Sequence, residues 1–313
     1  MNLLTRSFRI IFLLLFAARL TTAQSAAPSA RTNLSDDRGN RVAPVQRAPR
    51  LISLMPAITE AIFALGYGGR LAADSSFCNF PAAALALPKI GGPFDPNYER
   101  ILALKADRVL VMEIIPPAVL AKLDALKLPV VYLHEPKRLN EIIDFMRKIE
   151  AFSRGENELR QPDSPAIQEF SSRLHAAAFA GAPRERCLIV SPGQPLWTAG
   201  SGTFLDDFLR IAGCRNAAAG IQGWAALEPE KIATLKPGLI LFIGNLPAAN
   251  SPLAALLKKR KLKTLALDED MLSRPSPRIL VPLRQLESEL GTIPITPAPR
   301  PAQAPAHSLP HAH

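Results

Sequence analysis

Short, mostly apolar runs alternate along this chain with longer stretches in which apolar residues recur every three or four positions. The runs at 50–54, 109–112, 130–133, 187–190, 239–243 and 265–267 have the length and β-branching of buried strands, with a weaker one at 70–73. Between them Ile58, Ile62 and Leu65 share one face of a helix that Gly66 ends, and 118–126 predicts another. Ile142, Ile143, Met146 and Ile149 make 139–152 strongly amphipathic. A further helix opens at Ser164-Pro165 and runs through Ile167, Phe170, Leu174 and Phe179 until Gly181 and Pro183 stop it. Helices at 204–211, 252–261 and 279–290 complete the pattern, with a polar loop at 268–277. Strands that alternate with helices predict an α/β fold with mostly parallel sheets.

One stretch returns. Asn97-Tyr-Glu-Arg-Ile-Leu-Ala-Leu-Lys-Ala-Asp-Arg-Val-Leu-Val-Met112 is echoed by Leu227-Glu-Pro-Glu-Lys-Ile-Ala-Thr-Leu-Lys-Pro-Gly-Leu-Ile-Leu-Phe242. Each copy is a short helix, a Leu-Lys turn and an apolar strand, which is half of a βαβ unit. Such a unit used twice predicts two similar Rossmann-like lobes, at 49–160 and 183–291. The helix of 161–182 lies between the copies and is the expected connector.

The ends differ from this core. Arg6 and Arg9 precede an apolar run at 10–18, and Thr21-Thr22-Ala23 follows, the layout of a cleaved secretory signal over 1–23. Arg19 interrupts the end of a run that is short for a membrane span. Residues 24–48 are rich in Ala, Ser, Arg and Pro without periodicity, and 292–313 form a Pro/Ala-rich tail. Both are expected to be disordered, with order beginning at Pro49.

The formal charge of +10 does not make this a nucleic-acid-binding chain. Three of the charges lie in the signal, a surplus of two in 24–49 and one in the tail, so 50–291 carries only +4. The single dense basic run, Lys258-Lys-Arg-Lys261, reads as a solvated helix end. Of three cysteines, Cys78, Cys187 and Cys214, at most two can pair. Cys187 heads an apolar strand and Cys214 ends a helix, so buried thiols are the expected state.

Arg50-Leu-Ile-Ser-Leu-Met-Pro-Ala-Ile-Thr-Glu60, Leu87-Pro-Lys-Ile-Gly-Gly92, Asn97 to Asp107 and Arg274-Pro-Ser-Pro-Arg278 occur in an order that resembles the periplasmic binding proteins for cobalamin, iron-siderophores and haem. The resemblance covers about 50–290. It implies two α/β lobes joined by a single long helix, a cleft between them, a monomer in the periplasm without cofactor, and delivery of a small-molecule ligand to the permease of an ABC importer. In the cobalamin-binding relative, one carboxylate on each lobe docks on the permease, and these positions fall at Glu99 and Glu230. Phe77, Trp197 and Trp224 match aromatic ligand contacts, Asp270 and Arg274 match polar ones, and Phe94 is assigned to the same set. Two further tryptophans of that relative are replaced here by Pro93 and Met112, and the tyrosine that a haem-binding relative uses near Gly92 is missing.

Two other readings use different residues. A metal-ion receptor needs several His and carboxylates that converge, and only His134 and His175 lie in the predicted core, apart from His307, His311 and His313 in the tail. An exported hydrolase would need Ser191 or Ser201 as nucleophile, and the chain has no G-x-S-x-G elbow. No metal site and no catalytic residues are therefore assigned, and a non-enzyme is expected.

Overall fold

The computed structural model describes residues 34–156, 159, 162–178, 183 and 185–291. The expected signal, the first ten residues of the lead-in, the tail, and Phe179 and Gly181 lie outside them.

The first lobe contains β1 (Leu51–Ser53), α1 (Pro56–Ala64), β2 (Leu71–Asp74), α2 (Tyr98–Ala103), β3 (Arg108–Met112), α3 (Pro117–Ala125) and β4 (Val130–Leu133). Helices α4 (Glu141–Arg154) and α5 (Pro165–Ala177) follow. The second lobe contains β5 (Glu185–Val190), β6 (Leu196–Ala199), α6 (Phe204–Ile211), β7 (Cys214–Asn216), β8 (Trp224–Leu227), α7 (Pro229–Leu235), β9 (Leu239–Ile243), α8 (Pro252–Lys259), β10 (Lys263–Leu267), α9 (Glu269–Leu272) and α10 (Leu280–Leu290).

The first sheet has the order β2-β1-β3-β4 and the second β10-β9-β5-β7, with every neighbour parallel. These are the same arrangement, because in both the lobe's first sheet strand is central and its second lies outside it on one side. The third and fourth follow on the other side. The repeated Leu-Lys turns also have the same backbone. Lys105 and Lys236, before β3 and β9, are left-handed at φ 47° and 48°, as are Lys127 and Lys261 before β4 and β10. Alternation along each strand feeds two cores. In β3, Leu110 and Met112 enter one cluster and Val109 and Val111 the other. In β9, Leu239, Leu241 and Ile243 face one side, and Ile240 and Phe242 the opposite one.

The helix shared by the two lobes is α4, not the later one expected from the sequence. Ile142, Ile143 and Met146 of α4 lie in the core of the second lobe, while Phe145, Ile149 and Phe152 lie in that of the first. Helix α5 buries Ile167, Phe170 and Leu174 in the second core alone. Position between two repeats does not decide which helix is wedged between two cores; two apolar faces do, and only α4 has both.

The lead-in is also ordered earlier than Pro49. Residues 34–48 lie along the free edge of β4 and the base of β3, where the Asp37 amide donates to the Tyr132 carbonyl at 2.9 Å. Carboxylates of Asp36 and Asp37 accept the amides of Tyr132 and His134 at 3.3 and 2.7 Å. The side chain of Arg108, which is buried, donates to the Ala43 carbonyl at 2.8 Å. An exposed strand edge has unpaired N–H and C=O groups, and polar residues without periodicity suit the task of covering it.

Cys187 and Cys214 form a disulfide, with Cα atoms 5.8 Å apart, and Cys78 is a buried free thiol. The expected thiols at 187 and 214 are thus corrected: Cys214 does not end a helix but opens β7, which pairs with β5 and brings it beside Cys187. The other strands missed from the sequence are β6 and β8, an antiparallel ribbon that carries both tryptophans.

Candidate ligand cleft

Ligands of open parallel α/β sheets bind outside the strands' carboxyl ends. In this chain those ends are where aromatic side chains leave the core. Phe145, Phe152, Phe204, Phe208 and Phe242 are buried, whereas Phe77, Phe80, Phe94, Trp197 and Trp224 are 42 to 60% exposed. Ile114 after β3 and Leu246 after β9 are half exposed at equivalent places in the two lobes.

On the first lobe the aromatics stand on a loop that buried polar groups fasten. Lys89 Nζ, at 2.7 to 2.9 Å, binds the buried carboxylate of Asp74 and the carbonyls of Cys78 and Ala84. Burial pushes the Asp74 carboxyl up, against the pull of Lys89, and pushes the Cys78 thiol up to about 11, so this thiol stays protonated. Ser75 Oγ accepts the Phe77 amide at 3.2 Å. A Cβ on Gly92 would stand 2.6 Å from the Phe77 ring, so the ring lies over backbone that only glycine leaves clear.

On the second lobe the tryptophans stand on the ribbon. Trp197 pairs with Ala226 and Ala199 with Trp224, which puts both indoles on one face as diagonal neighbours. Thr198, on the opposite face, is buried and donates to the Ile189 carbonyl of β5 at 2.7 Å, fixing ribbon to sheet. Gly200 lets the chain pass the Ile221 carbonyl, which a Cβ would meet at 2.0 Å.

The polar pair Asp270 and Arg274 is present at this end of the molecule but bound within it. Arg274 donates to Glu60 at 2.8 Å, Asn79 at 2.7 Å, Asp270 at 2.6 Å and the Phe77 carbonyl at 3.2 Å. Asp270 also accepts from Asn79 at 2.6 Å. These bonds join the loop after β2 to the segment after β10, so the carboxyl ends of the two sheets meet.

Glu99 and Glu230 are exposed in the first turns of α2 and α7, the helices that precede β3 and β9. Asn97 caps α2 by accepting the Arg100 amide at 2.9 Å. The two carboxylates therefore hold equivalent places on the two lobes, each shortly after an exposed aromatic, Phe94 and Trp224, in sequence.

The profile of the family described as periplasmic binding protein matches residues 51–276. The chain is a periplasmic binding protein. The vitamin B12-binding protein of Yersinia pseudotuberculosis serotype O:3 is 30% identical to it over 255 residues, 80% of this chain and 89% of the relative. Among solved structures, the periplasmic vitamin B12-binding protein BtuF of Vibrio cholerae superposes with a TM-score of 0.68 at 27% identity, over 78% of this chain and 97% of that one. The periplasmic haem-binding protein RhuT of Roseiflexus sp. RS-1 gives 0.62 at 25% identity, over 78% and 98%. The fold is that of a class III binding protein, two α/β lobes with the ligand cleft between them.

Among the described residues no group of three or more His, Cys, Asp and Glu is placed to hold a metal ion. His134 lies 3.5 Å from Glu113, and His175 on α5 faces the Ser171 carbonyl at 2.7 Å. Ser201 donates to the Ile221 carbonyl at 3.0 Å.

Sequence reasoning missed Phe80, which the aromatic loop at 74–81 could have suggested, and Glu60. The signal for Glu60 was an acidic residue among Ala57, Ile58, Ala61 and Ile62, all of which are buried, as it is. Charged residues are seldom buried without a partner.

Proposed function

We propose that this periplasmic binding protein takes up a corrinoid, or a ferric siderophore-type chelate, between its lobes and passes it to the permease of an ABC importer. The observation that carries this reading is the exposure of aromatic rings from both lobes at the strands' carboxyl ends. A large flat ligand is held by such walls with a few polar groups to orient it. The assigned contacts are Phe77, Phe94, Trp197, Trp224, Asp270 and Arg274.

The state of the arginine favours the corrinoid. Arg274 is 10% exposed and spends its donors on Glu60, Asp270, Asn79 and a carbonyl, so little of its charge is left for a ligand carboxylate. A corrin rimmed by neutral amides does not need one, whereas a carboxylate-bearing tetrapyrrole does. The Phe77 ring over Gly92 also occupies the space that a tyrosine near that point would require.

Glu99 and Glu230 serve in this reading as docking carboxylates, one for each half of a permease, and charge pairs of this kind steer encounter. Calorimetry with cyanocobalamin, haemin and a ferric hydroxamate, with mass spectrometry of any ligand that copurifies, tests the first part. Saturable heat with cyanocobalamin is expected, and heat from haemin alone would reject it. The double variant Glu99→Ala, Glu230→Ala should retain ligand binding and lose transport in reconstituted vesicles; unchanged transport would remove the docking roles.

A further inference from the structure

We infer that Glu60 is a positioning residue that sets the separation of the two lobes and, through two arginines, the aromatic wall of the first. Its carboxylate is buried on α1 and has no partner from its own lobe among the contacts of the described residues. It accepts Arg274 at 2.8 Å, Arg278 at 3.0 Å and Ser276 Oγ at 2.6 Å, all from the segment between α9 and α10 of the other lobe. Three donors reaching one desolvated carboxylate from more than two hundred residues away make a contact that cannot slide. Moving any of them leaves a buried charge or acceptor unpaired, which costs more than the contact is worth when intact.

Each arginine then turns back to the first lobe. Arg274 holds the Phe77 carbonyl and the Asn79 side chain at 3.2 and 2.7 Å. The guanidinium of Arg278 lies 3.9 Å from the centre of the Phe80 ring, a cation–π contact that occupies one face and leaves the ring 42% exposed. Glu60 thus sits behind both exposed aromatics of the loop without reaching the cleft itself. A single acid couples lobe spacing to the placement of two rings, as a supporting residue must if a binding wall is to be held. The link to ligand capture rests on the function proposed above, while the link to lobe spacing does not.

The test uses the mature chain with spin labels at Ala121→Cys on α3 and Ala255→Cys on α8, both exposed and remote from the cleft loops. The distance distribution between labels should broaden and shift by several ångströms in Glu60→Gln, with far-ultraviolet circular dichroism unchanged. Ser276→Ala and Arg278→Gln should shift it in the same direction by less, and they keep the test sharp if Glu60→Gln does not fold. A distribution equal to wild type in the folded variants would overturn the inference. Cyanocobalamin titrations run in parallel should show at least a tenfold rise in Kd for Glu60→Gln. If wild type fails to bind cyanocobalamin, the ligand reading falls, and the label distances still decide the role of Glu60.

Discussion

The two lobes share strand order, αL lysine turns and an exposed glutamate before the third strand, and they differ in how they are closed and in what they present to the cleft. The first lobe covers its sheet edge with a polar strap, 34–48, and shows phenylalanines on a loop pinned by Lys89 and Asp74. The second ties its edge strand β7 to β5 with a disulfide and shows tryptophans on an antiparallel ribbon. The layered scaffold is thus the same in both lobes, and the segments at the strands' carboxyl ends are where they differ. A fold is compatible with many functions for this reason.

The largest asymmetry should be in stability. The disulfide closes a loop of sequence separation 27, for which the chain-entropy relation predicts about 3.5 kcal/mol. Cys187→Ala with Cys214→Ala, or a reductant, should lower Tm by roughly 10 °C for a chain of this size. Hydrogen exchange should localise the loss to β5, β7 and α6, with β1 to β4 almost unchanged. Equal loss of protection in both sheets would show that the lobes unfold as one and would erase the asymmetry.

A second contrast concerns the walls. Removing an indole that a ligand fully covers forfeits about 2 kcal/mol of apolar burial, or roughly a 30-fold rise in Kd. Trp197→Ala and Trp224→Ala should each have that effect on cyanocobalamin binding by calorimetry, and Phe77→Ala a similar one. If the tryptophans matter and Phe77 does not, ligand is held by the ribbon alone and the first lobe acts only as a lid.

The strap offers a smaller test on the other lobe. Asp36 is buried and accepts the amides of Arg38, Asn40 and Tyr132 at 2.7 to 3.3 Å. Asp36→Ala should cost about 1.5 kcal/mol, the penalty for stranded donors. The Tyr132 amide should then exchange faster, while the ribbon's amides stay protected.

What the sequence disclosed follows from what kind of interaction was involved. Strands β1, β3, β4, β5 and β9 are apolar on both faces and could be read directly, as could the repeat that became two sheets of one order. The ribbon could not, because Leu196 to Ala199 and Trp224 to Leu227 are short and flanked by Pro and Gly, and only their mutual pairing makes them strands. The disulfide depended on Gly213 turning the chain from α6 into β7 at φ 83°, a detail of backbone. Arg274 and Asp270 stand out in the sequence as polar residues of a matched segment, yet their bonds to Glu60 and Asn79 span about two hundred residues and leave no local pattern. Edge cover by residues 36 and 37 was lost for the same reason, since a segment that serves another strand's amides has no periodicity of its own.

The smallest effect tests the junction between the lobes. Arg147 on α4, the helix common to both cores, donates to both oxygens of Asp163, at 2.8 and 2.6 Å, just ahead of α5. The hydrogen bonds from Arg147, outweighing the upward push of burial, hold the Asp163 carboxyl below the usual carboxylate range. A carboxyl depressed on folding contributes stability that is complete above its unfolded pKa and is lost as pH falls through the folded one. The side chains are 29% and 16% exposed, so screening limits the pair to about 0.5–1 kcal/mol. Asp163→Asn should therefore lower Tm by roughly 1–3 °C at pH 7, and the gap from wild type should close as the pH drops below about 4. A gap that persists in acid would mean that the substituted amide disturbs the start of α5 rather than the charge pair, and that the second lobe's helix, not the ion pair, anchors the shared helix α4.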